Sequence, residues 1–116
     1  MKNFWEVKEV KPGDMIRIYN GVYYHYAIYL GNNQIIQFGT PAYTSDTENI
    51  KVEIVNSSEF TKYGFIEVRN YTLKEKLKKR KPEDIIMIAK SKLGQNGYDF
   101  KNNNCLNFVE ECVFKK

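Results

Sequence analysis

The sequence predicts an α+β fold: an antiparallel β-sheet of about four to six strands packed against C-terminal helices. Three observations carry this. Segments rich in Tyr and β-branched residues occupy residues 14 to 70. Short turn signals separate the early segments, as hairpins require. Helix signals are confined to residues 82 to 114.

The elements follow in order. Lys11-Pro12-Gly13-Asp14 is a turn signal that leads into M-I-R-I-Y, a short strand. Asn20-Gly21 is a candidate two-residue turn. V-Y-Y-H-Y-A-I-Y-L, residues 22 to 30, reads as a long strand. Gly31-Asn32-Asn33 turns the chain into Q-I-I-Q-F, so residues 13 to 38 form an antiparallel meander. Residues 39 to 49 have loop composition and are a candidate lid. K-V-E-I-V (51 to 55) and G-F-I-E-V-R-N (64 to 70) read as further strands. The run K-E-K-L-K-K-R-K, residues 74 to 81, reads as a solvated connector. Pro82, the adjacent Glu83 and Asp84, and Gly94 bracket a helix. A last helix runs from about Asn104 to Phe114.

A chain of 116 residues supports one domain over residues 1 to 116. Apolar content of 42% and charged content of 28% are those of an ordinary soluble protein. The net charge is only +4, but Lys74 to Lys81 concentrate it. Such a run suits peripheral contact with an anionic membrane. It lacks interleaved aromatics for base stacking, so no nucleic acid is expected. No run of about 18 apolar residues is present, which excludes a transmembrane helix. The start M-K-N-F-W-E-V-K-E-V has no apolar core of a signal peptide, so a cytoplasmic protein is expected. Cys105 and Cys112 lie about two helical turns apart, too far to bond on one helix. A single histidine and no C-x-x-C pair argue against a metal site, and no cofactor is expected.

Chemistry centres on the last helix. Cys105, Phe108, Val109 and Cys112 form one stripe, so Cys105 faces inward. Asn103 or Asn104 is the N-cap, which puts Cys105 in the first turn. There the macrodipole and free amides favour a thiolate and can hold an oxyanion. Cys112, at the far end, reads as packing. A thiol nucleophile needs a base. His25 is the one histidine, and taken alone a strand histidine is more often a satisfied structural residue. Tyr23, Tyr24 and Tyr26 flank it, able to desolvate it and, with Asn104, to contact a substrate. Alternation places His25 on the face of Tyr23, Ala27 and Tyr29, and small Ala27 leaves room for a side chain of the packed helix. Gln37 is polar among apolar neighbours and is the candidate to orient the imidazole. Register decides. A three-residue loop at Gly31 to Asn33 pairs Ala27 with Gln37 and puts Gln37 on the His25 face; a two-residue Asn32-Asn33 loop puts it on the other.

K-P-G-D-M-I-R-I-Y, Y-Y-H-Y-A-I-Y-L-G, I-I-Q-F and N-N-C-L-N-F-V, in that order, resemble the lecithin:retinol acyltransferase-like family, a permuted branch of the NlpC-type papain-like superfamily. The resemblance spans about residues 9 to 113. It implies that Cys105 is the nucleophile, His25 the general base and Gln37 the orienting residue, where the family usually has histidine. It also implies attack on an ester carbonyl of a lipid through a thioester acyl-enzyme. Leu106 and Asn107 depart from the family's N-C-E-H-F box, and V-F-K-K stands where many animal members carry a hydrophobic anchor. Two other readings stay open: an NlpC-type amidase or peptidase, and a non-catalytic binding or regulatory module.

Overall fold

The computed structural model describes residues 4–42, 44 and 46–115. Along the chain these form β1 (Trp5–Glu6), β2 (Met15–Tyr19), β3 (Tyr24–Gly31), β4 (Gln34–Phe38), β5 (Val52–Asn56), α1 (Ser57–Thr61), β6 (Glu67–Arg69), α2 (Leu73–Lys78), α3 (Pro82–Ser91) and α4 (Cys105–Val113). The strands make one six-stranded sheet in the order β1-β6-β2-β3-β4-β5, antiparallel at every junction. The α+β expectation holds. β2, β3 and β4 form the expected meander, while β6 returns to sit between β1 and β2.

The central strands are buried on both faces, which is why M-I-R-I-Y and I-I-Q-F read as apolar runs rather than clean alternations. On one face Met15, Ile28, Ile36 and Phe38 pack against Ile85 and Ala89 of α3 and Phe108, Val109, Cys112 and Val113 of α4. On the other, Ile16, Ile18, Ala27, Ile35 and Val68 are covered by Phe60 of α1. The sequence reading had no helix there. Asn56 caps α1 by accepting from the Ser58 amide at 2.9 Å, a short polar signal inside N-S-S.

Several boundaries differ from the expectation. Asn20-Gly21 is not a two-residue turn: Tyr19 pairs with Tyr24, and the Asn20 side chain accepts from the amides of Val22 and Tyr23 across a longer connection. The strand expected over 64 to 70 is reduced to Glu67–Arg69, with Phe65 largely exposed. The basic connector contains α2. Thr72 and Glu75 form its capping box, with Oγ1 accepting from the Glu75 amide at 3.1 Å and Glu75 returning the bond to the Thr72 amide at 2.9 Å. The T-L-K-E pattern is the sequence signature of that box. Residues 39 to 49 carry no strand or helix where they are described; Tyr43 and Ser45 of the candidate lid lie outside the described residues.

Gly13 shows why the K-P-G-D turn needs its glycine. Its φ is +91°, and a Cβ there would fall 2.7 Å from the Cβ of Pro82, the first residue of α3. The turn thus seats α3 against the start of β2.

The β3–β4 hairpin decides the register. Gly31 pairs with Gln34, so the loop is Asn32-Asn33, both with positive φ (51° and 61°) as a primed turn demands. By itself that loop turns Gln37 away from His25. However, the register shifts between Tyr29 and Gly31, a bulge at Leu30, and Ala27 then pairs with Gln37. The extra residue restores the face that the shorter loop took away.

Candidate functional site

Asn104, not Asn103, is the N-cap of α4. Its Oδ1 accepts from the amides of Leu106 at 3.0 Å and Asn107 at 3.1 Å, and Asn107 Oδ1 accepts from the Asn104 amide at 3.0 Å. Asn104 Nδ2 donates to the Phe100 carbonyl at 2.9 Å. These bonds all lie within the protein, so the side chain serves to hold the helix start. Asn107, at one of the positions that depart from the family box, closes the cap. Asn103 instead ties its own loop, donating to the Gly97 carbonyl at 3.0 Å.

Cys105 is the first residue of α4 and is 6% exposed. Burial pushes its thiol pKa up. The main-chain amides of Tyr26, Leu106 and Cys105 itself pull the other way, because they bond the sulfur and favour its anion. Burial wins, so the resting side chain is a thiol. Cys112 is wholly buried in the α3–α4 interface, and burial pushes its pKa to about 12. It is a packing residue.

His25 and Gln37 are also buried, at 1% and 2% exposure. The His25 Nε2 lies 2.9 Å from Gln37 Oε1. With the amide oxygen facing it, Nε2 carries the proton and Nδ1 keeps its lone pair. Burial lowers the His25 pKa to about 4, and the Gln37 bond offsets part of that fall. The ring is therefore neutral at physiological pH. Its ring tilts against that of Phe60, ring centres 5.6 Å apart.

The faces overturn the expected geometry: Ala27 packs on the face covered by Phe60, not against α4, so it makes no room there for a side chain of that helix. His25 pairs with Ile18 and shares its face, whereas the apolar stripe of α4 packs on the face of Ile28 and Ile36. Cys105 does not meet the sheet through that stripe. Its sulfur meets the amide of Tyr26, one residue beyond the last β3–β4 pair, Ala27 with Gln37. That amide nitrogen is joined through one carbonyl carbon to the Cα of His25, about 2.4 Å away. The structure thus brings His25 and Gln37 into direct contact, and Cys105 to the backbone beside His25.

The tyrosines separate. Tyr26 is half-buried and tilts against Trp5, centroids 5.7 Å apart. Tyr24 is exposed, with the Arg17 guanidinium 3.8 Å above its ring. Tyr23 meets Phe100 edge to face at 5.7 Å and lines a small hollow with Gly39, Thr40, Ile50 and Tyr98. Tyr98 escaped the sequence reading. It interacts electrostatically with Cys105 and Tyr23, and burial raises its pKa to about 12, so its hydroxyl stays a donor. Its only signal was G-Y-D-F shortly before the cysteine.

The family described as Lecithin retinol acyltransferase matches residues 8–116. The chain belongs to that family. It is also similar to the Homo sapiens protein named phospholipase A and acyltransferase 4, at 30% identity over 119 residues, covering 94% of this chain and 73% of that one.

Proposed function

We propose that the chain is a thiol acyltransferase or phospholipase acting on a phospholipid or other acyl ester, with Cys105 as nucleophile, His25 as general base and Gln37 as the residue that orients His25. Membership of the family and the name of the human relative support the acyltransferase or phospholipase class. The observation that carries the residue assignment is the buried His25–Gln37 pair on the strand whose next amide bonds the Cys105 sulfur.

Both partners rest neutral, so the reaction runs by general-base catalysis rather than from a preformed ion pair. His25 Nδ1 takes the thiol proton as Sγ bonds to the ester carbonyl carbon. The carbonyl π electrons move onto oxygen, where the Cys105 amide and the positive end of the α4 dipole offset the charge, the Leu106 and Asn107 amides being held by Asn104. On collapse the ester C–O bond breaks, and the departing alkoxide takes the proton from His25. A thioester on Cys105 remains. Water or an amine then attacks it, His25 again taking and returning a proton, and the thiol is regenerated. Tyr23 and Tyr98 line a small hollow, and Tyr98 interacts electrostatically with Cys105, which makes both candidates for acyl or headgroup contact. Tyr24 and Tyr26 are further candidates for substrate contact. One domain over residues 1 to 116 suffices for this chemistry. No helix among the described residues is long and apolar enough to cross a membrane. The proposed route to the substrate is peripheral contact of a cytoplasmic protein through Lys74–Lys81, which concentrate positive charge.

The test is acylation. Incubation with phospholipid vesicles adds one acyl mass to the intact chain, absent in Cys105→Ala and strongly reduced in His25→Ala. Turnover of amides with esters inert would move the assignment to an amidase. No adduct and no turnover would leave a binding module.

A further inference from the structure

His25 and Gln37 are the two buried polar side chains among the described residues, and they lie on neighbouring strands of one sheet face. The next strand continues the row. Glu53 of β5 pairs directly with Gln37, and directly paired residues of antiparallel strands point to the same side. Alternation along β5 agrees. Val55, two residues on, packs with the cluster of Ile18, Ala27 and Phe60, whereas Val52 packs on the α4 face. His25, Gln37 and Glu53 thus stand in a row on β3, β4 and β5, in a face whose other buried members are apolar.

A glutamine amide fits such a place in two orientations related by a half-turn. With Oε1 toward His25, ring Nε2 carries the proton and Nδ1 keeps the lone pair of a base. With the amide turned over, its N–H groups donate to ring Nε2. The ring proton then sits on Nδ1, and no lone pair is left for a thiol proton. Apolar neighbours do not distinguish the two orientations; a partner at the other end of the amide does. Gln37 makes no side-chain hydrogen bond among the described residues other than the one to His25, so the two donors of its amide nitrogen are unassigned. The Glu53 carboxylate accepts and cannot donate. Directly paired Cβ atoms lie about 4.5–5.5 Å apart, within reach of two side chains of this length. Glu53 is exposed on the outermost strand and forms no ion pair among the described residues, so its side chain is free to turn.

We propose that Glu53 is a positioning residue: its carboxylate accepts from Gln37 Nε2, keeps Oε1 on His25 and so maintains the tautomer that serves as base. Its catalytic consequence rests on the thiol reading above. In the resting structure Gln37 bonds His25 alone, and rotation of the exposed Glu53 side chain closes the remaining gap. The bond matters most as His25 takes the thiol proton. The ring is then a cation, and a carboxylate that polarises the amide in the same sense strengthens the Nε2–H to Oε1 bond. No proton leaves Glu53 or Gln37; the transferred proton moves from Sγ to His25 Nδ1 and on to the departing alkoxide.

The experiment reads the tautomer and the rate separately, on the full chain. With one histidine in the sequence, the ring nitrogens are assigned directly by nitrogen–proton correlation NMR. The parent should show the Nε2–H tautomer. Glu53→Ala should populate both tautomers and slow acylation by phospholipid vesicles about threefold to tenfold. Glu53→Lys puts a donor where the acceptor was, and should move the ring further toward the Nδ1–H form and slow acylation more. Glu53→Gln keeps an acceptor and should recover most of the rate. In a Gln37→Met background Glu53→Ala should have no further effect, because Glu53 acts only through Gln37. Position 53 is exposed, so the thermal midpoint of the single variants should stay near the parent value. The proposal is overturned if Glu53→Ala and Glu53→Lys keep the parent tautomer, or if the loss of rate persists in full in the Gln37→Met background. If the parent chain takes up no acyl group, the thiol reading fails, and the tautomer measurement alone decides whether Glu53 orients the pair.

Discussion

Replacing Gln37 with methionine tests the polar pair that the hairpin register created. Methionine keeps the length and volume of glutamine and removes the acceptor. Gln37 Oε1 sits 2.9 Å from His25 Nε2, and both side chains are buried. After the change the Nε2–H has no partner and no access to water. A buried donor left unpaired costs about 1–3 kcal/mol. For a chain of this size that lowers the melting midpoint by about 4–12 °C. Loss of the bond also lowers the His25 pKa further, since Gln37 is the group that raises it. The ring loses the interaction that fixes its tautomer, and the same energy expressed in the acylation barrier slows acylation by about tenfold to a hundredfold. Thermal unfolding by circular dichroism and acyl-adduct formation followed by intact mass read the two effects. Gln37→His, which can restore an acceptor, should recover much of both. If Gln37→Met melts and acylates like the parent chain, Gln37 has no orienting role and the register argument fails as an account of function.

Four other outcomes follow from the same structure. His25 has a folded pKa of about 4 against 6.5 when unfolded, so the unfolded chain binds more protons between those values. Stability is then complete above pH 6.5 and falls by about 3 kcal/mol as the pH drops to 4; urea titrations should show this fall, and His25→Leu should flatten it. The acylation rate should likewise stay level down to about pH 5 and decline only towards the folded His25 value, so an acid limb near 6.5 would contradict a buried neutral base. Asn104→Ala removes two bonds to helix amides and should cost about 1 kcal/mol while slowing acylation, because Cys105 is the next residue; unchanged kinetics would show that the cap does not position the thiol. Gly13→Ala introduces a Cβ against Pro82 at positive φ and should cost about 2–4 kcal/mol in chemical denaturation.

Much of the site was legible in the sequence. The stripe Cys105, Phe108, Val109 and Cys112 is buried as its spacing requires, and Asn104 caps the helix. Pro82 opens α3 at its first turn. These are local properties: helix periodicity and capping involve residues within about four positions of one another. The family was legible too, because its motifs are short and ordered along the chain. α2 could have been read from Thr72 and Glu75, but its many lysines pointed to a solvated connector, and among its residues none is buried. α1 was hidden because only five residues form it and one aromatic, Phe60, supplies its packing.

The sequence by itself determined the β2–β3–β4 meander, the two C-terminal helices, the helix start that presents Cys105, and the three side chains proposed for a thiol site. The tertiary structure alone decided whether those side chains could meet. The hairpin loop and the bulge at Leu30 each shift the strand by one residue, in opposing senses, and only the paired ladder shows that they cancel and return Gln37 to His25. The placement of Cys105 beside the Tyr26 amide depends on where β4 parts from β3, a contact about eighty residues apart in sequence. The neutral states of both groups follow from burial, which is a property of the packed core and not of any residue within it.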